Sequence, residues 1–280
     1  MTIAARRVIA GDGVLPPKLD VLGVGVSRTT MADLIQLIHG SVQSRTTIDV
    51  SFVNPNYVMR AREDPDLASL INAFDVVLAD GWGVVWASRL LGDPLHGRLA
   101  NDDIERPLFD LADANGYRVF LFGSGPGVAE AAADRLASTF PGLAIVGTQH
   151  GWLDVDRGHP GLIEDADSER VVRRIEAARP DILVVGLPTP LQQRWVHAYR
   201  DRLAVPVVIT GGSYLDHVAE RIGWYPRWVT AARLCWAYRL AREPRRLWRR
   251  YTVELGTFAA IVMAQAARAR VRRLVPVRHT

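Results

Sequence analysis

The chain has 280 residues, of which 49% are hydrophobic and 23% are charged, and its formal net charge is +4. This length is enough for one large α/β domain or two small ones, with a sizeable buried core. The single cysteine excludes an internal disulfide framework and a cysteine-rich zinc site, and the seven histidines show no spacing typical of a metal cluster.

Strands and helices alternate along the chain up to about residue 222. The hydrophobic patterns predict strands over 19–26, 47–53, 75–79, 117–122, 143–147, 181–185 and 206–209. They predict helices over 31–42, 57–72, 83–91, 104–115, 128–140, 169–178 and 191–202. This alternation predicts an α/β fold with a mainly parallel, Rossmann-like sheet flanked by helices. The chain divides into a leader (1–18), an α/β domain (19–223) and a helical, Arg- and Trp-rich C-terminal appendage (224–280).

The charge is distributed unevenly between these segments. Residues 224–280 carry 13 Arg and 2 Glu, a net charge of +11, whereas residues 1–223 carry 21 basic and 28 acidic residues, a net charge of −7. Such a split predicts a polyanionic partner for the appendage, either a membrane surface or a nucleic acid. The longest apolar stretch of the appendage, residues 255–267, is shorter than the roughly 20 residues of a transmembrane helix. The leader lacks the continuous apolar region of a secretory signal.

Four of the predicted strands end in polar or glycine residues. In an open α/β sheet the carboxyl ends of parallel strands share one edge, and ligands bind in the crevice there. We therefore expect one site to be lined by Asn54 and Asn56, Asp80 and Gly81, Gly123, Ser124 and Gly125, and Gly211 and Gly212. Their convergence is more informative than any one of the four motifs.

Asp80 is the candidate catalytic carboxylate. It stands at the carboxyl end of a buried strand, just before a helix, where open α/β sheets bind ligands. Gly81 and Gly83 allow a tight turn there and a close approach by a ligand. The alternative is that Asp80 only caps the following helix, since Asp is a favoured N-cap residue.

Two other strand-end motifs also have two interpretations. The turn at 123–127 follows a strand and precedes a helix, so its N–H groups suit a phosphate, but a purely structural turn is equally compatible. It is neither GxGxxG nor a P-loop. Asn54 and Asn56 flank a proline and could cap the next helix, or their amides could bind sugar hydroxyls or a uracil edge.

The appendage interleaves tryptophans with arginines between residues 224 and 250. Arginine pairs bidentately with phosphate, and tryptophan is enriched at membrane interfaces. A basic, aromatic helix therefore suits a lipid-linked pyrophosphate at an anionic bilayer. Arg239, Arg246 and Arg249 are spaced to share one side of such a helix and are candidates for binding substrate. A solvated basic helix and an RNA-binding helix are the alternatives, although no recognised nucleic-acid-binding motif accompanies the stretch.

Six stretches, taken together and in this order, resemble the WecG/TagA/CpsF family of glycosyltransferases. They are FVNPNYV at 52–58, VVLADGWGVVWASRLLG at 76–92, VFLFGSGPGVAE at 119–130, IVGTQHGW at 145–152, DILVVGLPTPLQQRW at 181–195, and PRWV with YRLAREPRRLWRRY within 226–251. No single stretch is specific. The set covers residues 20–251, which is nearly the whole globular part.

The resemblance implies transfer of a sugar from a UDP-sugar to a polyprenyl-diphosphate-linked saccharide, with inversion at the anomeric carbon. The donated group would be an N-acetylmannosaminyl, N-acetylglucosaminyl or similar hexosyl group, in the synthesis of a cell-surface polysaccharide or teichoic-acid-type polymer. It implies that Asp80 is the catalytic base and that Asn54 and Gln192 bind substrate. It also implies a cytoplasmic, peripheral protein whose appendage covers the active site and meets the inner face of the cell membrane. A homo-oligomer is compatible with it, and a nucleic-acid partner is not expected.

The chain departs from the family pattern at several positions. Leu191 stands where Lys is usual, Gln193 where Glu is usual, and Cys235 where Glu is frequent. Residues 100–103 read Ala-Asn-Asp-Asp instead of Thr-Gly-Ser-Asp, and residues 213–216 read Ser-Tyr-Leu-Asp where Ala-Phe-Asp is usual. These differences bear on the donor sugar and the acceptor more than on the reaction class.

Inverting transfer needs a base for the acceptor hydroxyl and stabilisation of the departing UDP. The sequence shows no metal-ligand cluster, so we expect no metal and no other cofactor. Backbone N–H groups and arginines, including Arg98 in the loop before residue 104, would then stabilise the departing UDP. An Asp-x-Asp sequence at 154–156 lies in a polar connection typical of solvent exposure.

Two functions from other classes remain open at this point. A nucleotide-cofactor oxidoreductase or sugar epimerase would use a similar sheet, but GxGxxG and the acidic residue about 20 positions beyond it are missing. A non-enzymatic RNA- or membrane-binding module would reside in the appendage alone.

Overall fold

The computed structural model describes residues 14–152, 166–219, 229, 235–242 and 244–274. Its strands are β1 (Lys18–Val21), β2 (Val24–Ser27), β3 (Ile48–Val53), β4 (Val76–Ala79), β5 (Arg118–Gly123), β6 (Ala144–Gln149), β7 (Ile182–Gly186) and β8 (Val207–Thr210). Six of them form a parallel sheet in the order β4-β3-β8-β7-β5-β6. Strands β3, β4, β7 and β8 are buried along their whole length, as expected between two helical layers. The predicted α/β fold is confirmed.

Helices cover both faces of this sheet. They are α1 (Met31–Ser44), α2 (Pro55–Glu63), α3 (Pro65–Asn72), α4 (Trp82–Leu90), α5 (Asn101–Asn115), α6 (Val128–Thr139), α7 (Ala166–Ala178), α8 (Leu191–Leu203) and α9 (Tyr214–Val218). One core lies under α1, α5, α6 and α9, with Leu34 and Phe109 fully buried in it. The other lies under α2, α3, α4, α7 and α8, with Ile71 and Trp195 at its centre.

The chain from residue 18 forms an antiparallel hairpin, and not the single strand predicted over 19–26. Lys18 pairs with Ser27 and Val21 with Val24. Leu22 and Gly23 reverse the chain with φ values of 56° and 92°. Leu-Gly lacks the Asn-Gly or Asp-Gly signature of such turns, so the sequence signals this reversal only weakly.

The prediction of a single helix over 57–72 is wrong, because two helices occupy this stretch. Asp64 ends α2, and its Oδ1 accepts hydrogen bonds from the N–H groups of Asp66 and Leu67 at 3.1 and 3.0 Å. Pro65 then takes the first position of α3, where its missing N–H costs nothing. Asp-Pro therefore begins a second helix.

The described part of the appendage is helical. It contains α10 (Cys235–Arg242), α11 (Pro244–Arg249), a π-helical segment (Arg250–Glu254) and α12 (Leu255–Leu274). Phe258 and Val262 of α12 are buried in the same core as α2 and α4. The last helix of the appendage is thus packed into the α/β part.

Arg239, Arg246 and Arg249 do not share one helix, contrary to the prediction from their spacing. Arg239 belongs to α10, whereas Arg246 and Arg249 belong to α11. Pro244 begins the second helix because proline fits the first turn of a helix but disrupts its interior. The side chains of Arg239 and Arg246 lie outside the described part of the chain, and Arg249 is exposed.

A charged cluster lies at the amino ends of β3 and β4, opposite the edge where ligands are expected. Arg200 of α8 contacts the carboxylate of Asp49 at 2.9 Å and that of Asp75 at 3.4 Å. The backbone N–H of Asp75 donates to the Asp49 carboxylate at 2.6 Å, and that of Asp49 donates to the Asp75 carboxylate at 3.1 Å. Burial, and then the nearby Asp75 carboxylate, raise the pKa of Asp49 to about 6.

The raised pKa of Asp49 gives the fold a pH dependence. Because this pKa exceeds the usual 3.8, the group contributes stability below about pH 4, which is lost as the pH rises through about 6. Asp49→Asn removes the titration and keeps an oxygen for the Asp75 N–H. The quantity to follow is the difference between the free energies of unfolding of the parent and of the variant. We expect this difference to be about 1 kcal/mol smaller at about pH 7.5 than at about pH 5. Urea denaturation at both pH values measures this difference, and a difference that rises with pH contradicts it.

Candidate active site

The predicted strand-end residues lie along one edge of the sheet. Asn54 follows β3, Asp80 follows β4, Ser124 follows β5 and Gly211 follows β8. The strand order changes direction between β3 and β8, since β4 lies on one side of β3 and the later strands lie on the other. Open α/β sheets bind ligands at such a switch point. Asn54 and Gly211 flank it.

Asp80 lies next to the end of β3 because β3 and β4 are paired. Its N–H donates to the carbonyl of Val53 at 2.8 Å, which extends the ladder one residue beyond the strand. The N-cap of α4 is Gly81, at a φ of 135° that favours glycine. Gly81, and not Asp80, therefore occupies the N-cap position that the alternative interpretation gave to Asp80. Asp80 is a half-buried carboxylate at the end of its strand.

Asn54 both caps a helix and faces the Asp80 turn. Its Oδ1 accepts a hydrogen bond from the N–H of Tyr57 at 3.0 Å, which satisfies the first turn of α2. A Cβ built on Gly81 would lie 4.0 Å from the Cβ of Asn54, so the two turns are in contact. With Oδ1 in the cap, the amide nitrogen is the atom of Asn54 suited to bind a ligand.

Asn56 contacts the appendage. Its side-chain amide donates to the carboxylate of Glu254, in the π-helical segment. Its predicted contact with substrate stays a prediction, but the structure gives this amide another partner. π-Helical turns occur frequently at functional sites. Here the turn brings the appendage against the loop that carries Asn54.

Gln192 holds the glycine turn after β8. It is buried at the start of α8, its Oε1 accepts a hydrogen bond from the N–H of Gly212 at 2.8 Å, and its Nε2 donates to Thr189 at 3.2 Å. On the other side, Asn101 of α5 donates its amide to the carbonyl of Gly211 at 3.3 Å. The structure therefore brings Gln192, Gly211 and Gly212 together in the middle of the edge.

The turn at Gly123, Ser124 and Gly125 lies farther along the edge. Four strand spacings of about 4.8 Å separate β4 from β5, or roughly 19 Å. The N–H of Ser124 donates to the carbonyl of Gly186 at 2.9 Å, and its Oγ donates to Asp216 at 2.7 Å. Both donors of Ser124 thus have protein partners. Only an extended ligand would touch both this turn and Asp80.

Arg98 is held by two carboxylates in front of α5. Its guanidinium contacts Asp102 at 3.0 Å and Asp103 at 2.9 Å. Burial by itself would lower the pKa of Arg98, but the two carboxylates raise it overall. Asp103 also accepts the N–H of Ala100 at 3.0 Å. Arg98 is therefore fixed in position and partly neutralised.

Sequence reasoning missed Glu105 and its neighbours. Burial, and then the nearby Asp102, raise the pKa of Glu105 to about 7. Burial and the charge of Glu105 raise the pKa of Tyr214 well above its usual value. Glu105 lies one helical turn after Asn101, so a carboxyl that titrates near neutrality stands close to the crevice. Asn101 and Asp216 fall in segments noted as departures from the family, whereas the burial of Glu105 has no signal in the sequence.

The described residues bear on only part of the prediction that no metal is needed. Within the ranges that the structure describes, no three His, Cys, Asp or Glu side chains are grouped as metal ligands would be. The Asp-x-Asp sequence at 154–156 lies outside those ranges. That the protein works without a metal stays a prediction.

The comparison with known proteins decides the family. A model described as "Glycosyl transferase WecG/TagA/CpsF family" matches residues 19–272. The chain belongs to this family. A protein from Bacillus spizizenii named N-acetylglucosaminyldiphosphoundecaprenol N-acetyl-beta-D-mannosaminyltransferase is 32% identical over 197 residues, 70% of this chain and 72% of the relative. A protein of the same name from Bacillus subtilis is 30% identical, over 72% of this chain and 73% of its own length. Another from Staphylococcus aureus is 29% identical, over 83% of this chain and 87% of its own length.

The predicted membership of the WecG/TagA/CpsF family is confirmed, and with it the prediction that the chain is a hexosyltransferase. Membership decides against the oxidoreductase or epimerase and against the non-enzymatic module. In the described ranges, no helix combines the length and the apolar character needed to span a bilayer.

Proposed function

We propose that the protein transfers an N-acetylmannosaminyl group from a UDP-sugar to an N-acetylglucosaminyl-diphosphate-linked polyprenol. The names of the three relatives support the sugar and the acceptor. The observation that carries the proposal is the position of Asp80. The residue that matches the family's base lies at the switch-point edge, beside Asn54, and Gly81 occupies the N-cap position of the helix that follows it.

In the proposed reaction Asp80 accepts the proton of the acceptor hydroxyl as that oxygen attacks the anomeric carbon. The bond from this carbon to the UDP oxygen breaks on the opposite face, so the configuration inverts and UDP leaves with the bonding electrons. Asn54 would orient the acceptor or the donor sugar through its amide nitrogen. The turn of Gly211 and Gly212, held by Gln192, would approach the nucleotide with its backbone.

The departing diphosphate needs positive charge. Arg98 already contacts two carboxylates, which partly neutralise it. The arginines of the appendage are therefore the better candidates, and exposed Arg249 lies one residue before the π-helical segment whose Glu254 contacts Asn56. Arg239 and Arg246 remain proposed on sequence grounds.

The experiment that tests this function is direct. The purified protein is incubated with a panel of UDP-sugars and a polyprenyl-diphosphate-linked N-acetylglucosamine acceptor, and products are read by mass spectrometry. We expect one N-acetylhexosamine to be added, with UDP-N-acetylmannosamine preferred. Transfer from UDP-N-acetylglucosamine alone would support the proposed reaction class and contradict the proposed donor sugar. No transfer from any donor would overturn both.

We expect transfer to proceed without a divalent metal. The sequence offers no ligand cluster, so arginines and N–H groups would stabilise the leaving UDP. Pretreatment with EDTA should leave the rate within about twofold of the untreated rate. A strong loss that Mg²⁺ or Mn²⁺ restores would contradict this expectation.

We further propose that the protein works at the cytoplasmic face of the membrane, attached through its basic appendage. The net charge of +11 over residues 224–280 supports this, because each Arg near an anionic surface contributes roughly 1 kcal/mol. The proposed acceptor is itself a lipid, whose diphosphate lies where the bilayer meets water.

A further inference from the structure

Helix α4 presents two large apolar side chains to solvent. Trp86 and Leu90 are 51% and 46% exposed, and their four-residue spacing places them on one side of the helix. Val84 and Val85 bury the opposite side in the core. A single exposed hydrophobic residue is ordinary, whereas two large neighbouring ones form a contiguous apolar patch, the feature that marks interaction surfaces when it is extensive.

The appendage lies beside the same side of α4. Gly83 precedes Trp86 and Leu90 by three and seven residues, so the three positions form one stripe along α4. A Cβ built on Gly83 would lie 3.6 Å from the Cδ1 of Leu255, at the start of α12. We call Trp86 and Leu90 the apolar face.

The two helices at the apolar face, α4 and α12, carry basic and no acidic side chains. The carboxylates that follow α4 and precede α12, Asp93 and Glu254, are partnered by Arg28 and Asn56. Arg89 on α4, Arg249 and Arg268 are all exposed. A second copy of the chain on this face would bring like charges together, whereas anionic lipid headgroups complement them. Tryptophan also prefers the interface between hydrocarbon and water.

We propose that Trp86 and Leu90 insert into the interfacial region of an anionic bilayer and dock α4 on the membrane. The proposal rests on the proposed function, because a lipid-linked acceptor presents its diphosphate at that interface. Asp80 precedes Trp86 by six residues, or about 9 Å along a helix. A membrane contact through α4 would therefore set the height of Asp80 above the bilayer.

The test compares vesicle binding of the full chain with that of a Trp86→Gln, Leu90→Gln double variant. Both side chains are exposed, so the variant keeps the core, and circular dichroism checks this. On phosphatidylglycerol–phosphatidylcholine vesicles we expect the partition coefficient to fall at least about tenfold. High salt should release the variant completely and the parent only in part, because salt screens charges and not apolar contacts.

Two control variants sharpen the measurement. Val14 is 84% exposed and lies outside the apolar face, so Val14→Gln should bind vesicles like the parent. Trp86→Phe keeps an aromatic ring and should retain most of the binding. Double-variant binding equal to that of the parent overturns the proposal. So does a parent that dimerises without lipid while the double variant is monomeric, since a second copy would then occupy the face.

Transfer assays separate this proposal from the proposed function. With a short-chain, water-soluble acceptor and no vesicles, parent and double variant should transfer at the same rate. With the long-chain acceptor in vesicles, the double variant should be slower. If the parent transfers to neither acceptor, the proposed function fails while the vesicle-binding result stands.

Discussion

Replacing Asp80 by asparagine is expected to lower the transfer rate by about 10²–10⁴-fold, because a positioned general base contributes a factor of that size. Asparagine has nearly the same shape but cannot accept the proton of the acceptor hydroxyl. The N–H of residue 80 would still donate to Val53, and Gly81 would still cap α4. We therefore expect the variant to fold and to bind both substrates.

The matched control is Asp110→Asn, the same chemical change on an exposed residue of α5 whose carboxylate contacts Arg106 at 3.4 Å. It should transfer like the parent. Initial rates from product mass spectrometry and thermal unfolding of all three proteins complete the experiment. Near-parental turnover by a folded Asp80→Asn chain would eliminate Asp80 as the base and direct attention to Glu105, whose pKa of about 7 suits proton transfer.

The sheet and its functional edge could be predicted from the sequence because both depend on local patterns. Buried parallel strands read as short apolar runs, and the helices between them read as amphipathic stretches. Once the strands are parallel, their carboxyl ends must share one edge, so the sequence predicts Asn54, Asp80, Ser124 and Gly211 there. Each of these residues follows a strand at that edge.

Distances along the edge could not be predicted in the same way, because they depend on strand order. β3 and β4 are adjacent, which brings Asn54 to Asp80, whereas three strands lie between β4 and β5. Contacts between residues far apart in the sequence could not be predicted either. The contact of Asn56 with Glu254 joins residues 198 positions apart, and the burial that raises the pKa of Glu105 arises only in the folded chain.

Strand order also explains why the turn after β5 is rich in glycine. β5 lies beside β7, and Gly123 pairs with Gly186 at the last position of both strands. The N–H of Ser124 donates to Gly186, and that of Gly151 donates to Ser124 at 2.8 Å. These contacts support the structural interpretation of Gly123 and Ser124. A phosphate bound at this turn would have to accept hydrogen bonds from the N–H groups nearer the start of α6.

Replacing Gly123 by alanine is expected to lower the free energy of unfolding by about 3–5 kcal/mol, the upper end of what single substitutions cost. A Cβ at this position would lie 2.3 Å from the carbonyl oxygen of Gly186, which is backbone and cannot rotate away. The φ of Gly123 is also 140°, a conformation that alanine rarely adopts. β5 and β7 would have to separate at the edge, so transfer should be lost together with stability.

Gly127→Ala is the matched control, because it makes the same substitution in the same turn. Gly127 also has a positive φ, of 78°, but a Cβ there would meet no atom within 4 Å. We therefore expect a loss of only about 1–2 kcal/mol, the strain of a left-handed residue. Urea denaturation of the two variants and the parent measures both losses. If Gly123→Ala and Gly127→Ala cost the same, the close approach of Gly123 to Gly186 does not constrain the fold, and the positive φ of the two residues alone accounts for both losses.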